Sequence, residues 1–235
     1  MSIKDIFPIE KWDFNSESIL ADLPEEDLKQ LTRNQSIQTY SKGEIIFREK
    51  SFASGIFYLL KGMVKKFKLD KEGHEQIIYV AKRGELIGYH AVLSGDRYPD
   101  SAAALEESKI AFIPREDFLA AVQNSSVLSK RLLKTLSHEF TVFVNSISMF
   151  AQRSVRERLA LQLILLREKS KVDFHPGMSV EINWSREDLA SLVGTARENL
   201  VRILTEFKEE GILEIKGRKI IVRNLEKLME MSNSA

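Results

Sequence analysis

The stretch Ser185-Arg186-Glu187-Asp188-Leu189-Ala190-Ser191-Leu192-Val193-Gly194-Thr195-Ala196-Arg197-Glu198-Asn199-Leu200-Val201-Arg202-Ile203-Leu204 decides how the rest of this chain is read. Ser185, with Asp188 three residues on, has the form of a weak capping box and predicts a helix start. A short helix over residues 186–192 turns Leu189, Ala190 and Val193 inward. Gly194 follows where a tight turn between helices needs a residue without Cβ strain. Thr195, with Glu198 three residues later, reads as a second cap. A helix over residues 196–210 then buries Leu200, Ile203, Leu204 and Phe207 and exposes Arg197, Glu198 and Arg202. Gly211 ends it. Two β-rich runs, Ile212-Leu213-Glu214-Ile215 and Lys219-Ile220-Ile221-Val222, flank the basic tip Lys216-Gly217-Arg218. Helix, glycine turn, helix and basic hairpin together describe a winged helix-turn-helix. The competing reading is an amphipathic helical hairpin with solvated charges. It does not explain why the turn glycine, the cap, the wing and the Arg-Glu-x-x-x-Arg spacing coincide.

The chemistry of such a unit follows from reach. A recognition helix presents its N-terminal residues to base edges in the major groove. Arginine bonds guanine bidentately and glutamate accepts from the amine of cytosine, so Arg197, Glu198 and Arg202 are the expected base readers. Ser185, Thr195, Lys216 and Arg218 are the expected contacts to the DNA backbone. Net charge is only +1, so the whole-chain charge does not carry this reading.

Upstream, residues 124–150 read as one long helix. Leu132, Leu136, Phe140, Phe143, Ile147 and Phe150 recur at spacings of three and four, a narrow seam suited to pairing two helices. A helix packed on its own domain is the alternative. Ser154-Val155-Arg156-Glu157-Arg158-Leu159-Ala160 opens a further helix rich in leucine. Before residue 115 the pattern is β. Seven of the eleven glycines lie between Gly43 and Gly95, and turn pairs separate short runs around Tyr40, Ile45–Phe47, Ile56–Leu60, Met63–Phe67, Gln76–Val80 and Lys109–Ile113. Many short strands at this spacing predict a barrel or sandwich. A helix opened by Pro24 is expected over residues 24–34.

Composition bounds the function. The chain has 235 residues, 43% hydrophobic and 29% charged, with no cysteine, which removes disulfides, thiolate catalysis and cysteine-ligated clusters. No run of about 18 apolar residues is present, and Met1-Ser2-Ile3-Lys4-Asp5 leads into no apolar signal segment. A cytoplasmic protein without membrane contact is expected. No nucleophile–base pair, metal cluster or phosphate-binding glycine loop supports catalysis, so no enzyme is expected.

Thr195–Leu204 and the wing resemble the DNA-binding end of the catabolite activator / Fnr (Crp/Fnr) family, and the resemblance extends over nearly the whole chain. It implies an α+β fold: an N-terminal cyclic-nucleotide-binding-like β-roll of jelly-roll type (residues 1–123), a long dimerisation helix (124–150) and a C-terminal winged helix-turn-helix (151–235). It implies a homodimeric transcription regulator on double-stranded DNA. Arg197, Glu198 and Arg202 would read TGTGA-like half-sites of a palindrome, with RNA polymerase as a partner for an activator. A cyclic-nucleotide-regulated enzyme or kinase subunit would need a catalytic or docking segment where the winged helix lies. A purely structural DNA-binding protein would leave the β-domain unexplained.

The resemblance breaks in the effector cassette. The family reads Gly-Glu-Leu and, about ten residues on, Arg-Ser-Ala; here stand Gly88-Tyr89-His90 and Asp100-Ser101-Ala102. Tyr89 replaces the ribose-binding glutamate and Asp100 the phosphate-binding arginine, leaving Gly88 and Ser101. Phe143 and Val144 occupy the positions where cyclic-AMP-binding relatives carry adenine contacts. Cyclic AMP is therefore not the expected effector; a different small molecule, or none, is. Arg97 is the nearest cation in sequence that would replace the missing arginine. His90 and His138 match no haem-ligand spacing, so neither haem, iron–sulfur cluster nor other metal is expected.

Overall fold

The computed structural model describes residues 7–171 and 180–232, which form two compact units. Residues 14–140 make the β-unit. Two short helices, α1 (Glu17–Leu20) and α2 (Glu25–Leu31), precede strands β1 (Ser36–Tyr40), β2 (Ile45–Phe47), β3 (Gly55–Lys61), β4 (Met63–Leu69), β5 (Glu75–Lys82) and β6 (Leu86–Ile87). Helix α3 (Tyr89–Ser94), strands β7 (Ser101–Ala104) and β8 (Ser108–Pro114), and helix α4 (Arg115–Asn124) follow. All strand pairs are antiparallel, in two four-stranded sheets ordered β1-β8-β3-β6 and β2-β7-β4-β5. Ile56 and Leu59 of β3, Val64 of β4, Ala81 of β5, Ala102 and Ala104 of β7, and Ile110 and Ile113 of β8 share one core. That is the sandwich the short β-rich runs anticipate, successive residues of a strand pointing to opposite faces of the sheet.

Helix α5 (Ser126–Gln152) is the long helix. It does not begin at residue 124: Ser125 stands between it and α4, and its Oγ accepts from the Leu128 amide at 3.1 Å. A serine cap, with no glycine or proline, makes this break. The expected seam needs one correction. Leu132 is 3% exposed and belongs to the core of the β-unit, and Leu136 packs partly against that core. The exposed row along α5 runs instead through Leu133, Phe140, Phe143, Val144, Ile147 and Phe150.

The second unit holds residues 7–13 and 141 onward. It comprises the last turns of α5, then α6 (Val155–Lys169), strand β9 (Glu181–Ile182), α7 (Arg186–Val193), α8 (Arg197–Glu209), strands β10 (Leu213–Lys216) and β11 (Lys219–Val222), and α9 (Leu225–Ser232). Helix α6 opens on a full capping box between Ser154 and Glu157 and buries leucines around its circumference. Such a helix must be covered on several sides, and α7, α9 and β9 all contact it. The sequence division at residue 123 places residues 7–13 with the β-domain; the contacts group them with this unit. Phe7 and Ile9 are buried, Asp13 pairs with buried Lys169 at 2.8 Å, and Trp12 lies under the Arg153 guanidinium at 4.5 Å.

Candidate nucleic-acid interface

Ser185 caps α7 as expected: its Oγ accepts from the Asp188 amide at 3.0 Å and donates to the Asp188 carboxylate at 2.6 Å. The turn then depends on Gly194, whose φ of 72° lies in the left-handed region that a Cβ disfavours. Helix α8 starts at Arg197, not Ala196, and Thr195 does not cap it. Ala196 sits at the N-cap with no side-chain acceptor, while the Thr195 hydroxyl accepts from Asn199 at 2.9 Å. The first-turn amides of α8 thus lack a side-chain cap, the state in which a helix start favours an anion. Leu200, Ile203, Leu204 and Phe207 are buried and Gly211, at φ 71°, follows the helix end.

The three expected base readers are exposed on the outward face of α8. Arg197 is paired through Nε with Glu187 of α7 at 2.6 Å. Arg202 donates to Asn199 Oδ1 at 2.8 Å and pairs with Glu206. Both guanidiniums are engaged only by exposed or half-exposed partners, so little free energy holds them there. The hairpin pairs Leu213 with Val222 through Lys216 with Lys219, and Ile220 continues onto Ile182 of β9. Lys216 and Arg218 are exposed at its tip. Hydrogen bonds from Lys216 first, then Arg223, hold the Glu214 carboxyl below its ordinary range. Of the expected backbone contacts, Thr195 and Ser185 are half-buried and committed to Asn199 and Asp188.

Three arginines that the sequence reading did not single out position this surface. Arg158 of α6 donates to Val193 O at 2.9 Å and Gly194 O at 3.0 Å, tying the glycine turn from below. Burial pulls its guanidinium pKa below the ordinary value. Arg156 donates to Glu206 at 2.9 Å, pairs with Glu210 and lies 4.6 Å from the Phe207 ring centre. Arg186 reaches the wing, donating to Arg218 O and Gly217 O at 3.2 Å; burial first, then the Arg218 charge, lowers its pKa. A signal was present for two of them. Arg156 and Arg158 stand in the first turns of α6, where cations oppose the helix dipole and so need partners elsewhere.

In the β-unit the cassette residues are all placed and all occupied. Gly88, at φ 83°, precedes α3, and a Cβ there would lie 3.1 Å from the Tyr98 ring. Tyr89 is buried and donates to Glu139 at 2.6 Å; His90 Nε2 meets the same oxygen at 2.7 Å. Burial, then the Glu139 charge, pushes the Tyr89 hydroxyl pKa far up, so it stays a donor. Asp100 does not stand as a bare carboxylate. It is 4% exposed and pairs with Lys66 Nζ at 2.9 Å, while its Oδ1 is buried without a hydrogen-bond partner among the described residues. Arg97, the nearest cation in sequence, is exposed and donates to Lys50 O at 2.9 Å. Ser101 Oγ accepts from the Glu49 amide at 2.9 Å. Phe143 and Val144 lie on the part of α5 that belongs to the other unit, both exposed.

Comparison with known proteins agrees with this division. The family model of the cyclic nucleotide-binding domain matches residues 37–125, and that of the Crp-like helix-turn-helix domain matches residues 157–231. The fumarate and nitrate reduction regulatory protein of Vibrio cholerae is 28% identical over 215 residues, covering 89% of this chain and 84% of the relative. That of Escherichia coli K12 is 27% identical with the same coverage. The fold is shared with FixK2 of Bradyrhizobium japonicum (TM-score 0.76, 22% identity, 86% of this chain and 98% of that one). It is shared also with CLP, the c-di-GMP-responsive global regulator of Xanthomonas campestris (TM-score 0.71, 19% identity, 86% and 100%).

Proposed function

The chain belongs to the Crp/Fnr family of transcription regulators, and from that premise we propose that it is a homodimer reading a palindrome of TGTGA-like half-sites through Arg197, Glu198 and Arg202. The observation that carries this is the outward face of α8. Three side chains of base-reading chemistry are exposed together in its first two turns, on a helix braced by Arg156 and preceded by a turn that Arg158 holds. Lys216 and Arg218 on the wing neutralise phosphates on either side; Thr195 and Ser185 reach them after releasing Asn199 and Asp188. Pairing of two chains along the exposed row of α5 presents two recognition helices to half-sites about one helical turn apart. As an activator it would also meet RNA polymerase, in the cytoplasm; no helix among the described residues is long and apolar enough to cross a membrane.

Selection of bound sequences from a random DNA pool tests the reading. Arg197→Ala and Arg202→Ala each lose about 1–3 kcal/mol and relax preference at one position per half-site. Lys216→Ala weakens all sequences alike and lowers the salt slope by about one. Unchanged specificity in all three variants would sink the groove assignment.

Cyclic AMP is not the effector in this reading. The phosphate needs a cation, and half-buried Lys66, which meets the cassette, already neutralises Asp100. Tyr89 and His90 are likewise spent on Glu139. Calorimetric titration with cyclic AMP is expected to give no saturable heat at micromolar concentration and no gain in operator affinity. Saturable binding with such a gain would overturn this. With no cysteine in the chain, a cysteine-held iron–sulfur cluster has no ligands, so sensing proceeds through another small molecule or is absent.

A further inference from the structure

We infer that Glu187 is a positioning residue for base recognition: it holds the Arg197 guanidinium so that its outer edge reads guanine while its charge is withheld from phosphates. The inference rests on the DNA reading above. Glu187 lies in the first turn of α7, and Arg197 opens α8. An acid in a first helical turn is ordinary, because it meets the positive end of the helix dipole. Glu187 does more. It reaches across to the other helix and pairs with Nε of Arg197 at 2.6 Å.

The atom it meets carries the argument. A guanidinium presents its N–H donors in a rigid plane, and bidentate contact needs two of them side by side. Nε sits on the stem side of that plane. A carboxylate there leaves Nη1 and Nη2 as a pair, and among the described residues neither is hydrogen-bonded. That pair matches O6 and N7 of guanine. Arg202 is the contrast. Its Nη1 pairs with Glu206 and its Nη2 donates to Asn199 at 2.8 Å, so both outer nitrogens let go before it reads a base. Charge follows from the same contact. Every duplex offers phosphates, and an arginine without a carboxylate is drawn to them whatever the sequence. Glu187 offsets that charge, whereas guanine, a neutral acceptor, is bound through the geometry of the fork. The pair is exposed in the free protein, where it is weak. In a groove from which water is displaced it strengthens.

The test uses the full-length protein, the operator obtained by pool selection and a random duplex. The guanine read by Arg197 is the position whose preference Arg197→Ala relaxes. Replacing it by adenine in one half-site is expected to lower wild-type affinity about tenfold. With Glu187→Ala that loss shrinks to about threefold, affinity for the random duplex rises about threefold, and the salt slope on it steepens by about one. Glu187→Gln keeps an acceptor for Nε but drops the charge. It retains the guanine preference and shows the random-duplex gain alone, a separation that a merely structural role would not produce. Glu209→Gln, at an exposed position near the end of α8, controls for loss of one carboxylate, and melting curves check that every variant is folded. A Glu187→Ala variant with the full guanine preference overturns the inference, as does a random-duplex gain no larger than that of Glu209→Gln. If Arg197→Ala relaxes no position, or the pool enriches no sequence, the DNA reading itself fails, a result distinguishable from both.

Discussion

The double variant Phe143→Glu/Ile147→Glu is expected to be a folded monomer that no longer binds operator DNA. Both side chains are more than half exposed in the single chain, at 54% and 56%, so the substitutions remove no contact from its own core. In the proposed dimer they lie in a dry helix seam, and two-fold symmetry doubles each charge. Burying a carboxylate without a partner costs several kcal/mol, and four of them exceed what an apolar seam of this length supplies. Loss of the dimer converts a bivalent complex into two independent half-site encounters, a loss of about 10²–10⁴ in operator affinity. Light scattering and a gel shift on the same samples check both halves of the expectation. The contrast with Leu132→Ala matters. Leu132 is a core residue of the β-unit, and its truncation should cost about 2–5 kcal/mol of stability through the fold rather than through the seam. A double variant that stays dimeric would show that the exposed row serves another purpose.

The seam shows where sequence periodicity reaches its limit. Spacings of three and four fit two adjacent rows of one helix equally well. Leu132 and Leu133 start different rows, and only the location of the β-unit decides which faces it. Local chemistry was more legible. Gly194, Gly211, Ser185 and Ser154 act as turn, stop and caps because the backbone geometry at those points admits few residue types. The runs at 45–47, 56–60, 63–67, 76–80 and 109–113 fall within β2, β3, β4, β5 and β8. Strand β7 was invisible: Ser101-Ala102-Ala103-Ala104 has little intrinsic strand preference. Its place between β2 and β4, with all four residues buried, imposes it instead. Strand β9 and helix α9 are short pieces completed by tertiary contact, and residues 7–13 group with the distant unit for the same reason. In the site, the exposed set Arg197, Glu198 and Arg202 was legible because its chemistry is carried by side chains at a fixed spacing. Arg156, Arg158 and Arg186 act through carbonyls and carboxylates 31 to 54 residues away, and no local pattern names such partners. The cassette was half legible. Asp100 was read as a repelling charge because its cation, Lys66, lies on another strand and meets it only through the pairing of β4 with β7.

That pair yields the second large effect. Lys66→Met is expected to destabilise the β-unit by about 3–5 kcal/mol, lowering the melting temperature by about 10 °C or more. The reason is asymmetric burial. Asp100 is short, 4% exposed, and its Oδ1 lacks a hydrogen-bond partner among the described residues, so removal of Lys66 leaves a buried charge without the cation that faces it. Asp100→Ala should cost less, because the four-carbon stem of Lys66 lets its ammonium reach solvent once released. Apolar replacement of both partners, Lys66→Met with Asp100→Leu, removes the uncompensated charge and restores most of the loss. A double-mutant cycle by thermal and urea unfolding reads the coupling directly. Additive single effects, or a Lys66→Met variant as stable as the parent, would mean the pair is solvated and contributes little. A large coupling instead assigns Lys66 to holding its own chain together. An anionic effector entering there would have to displace a resident carboxylate before gaining any attraction.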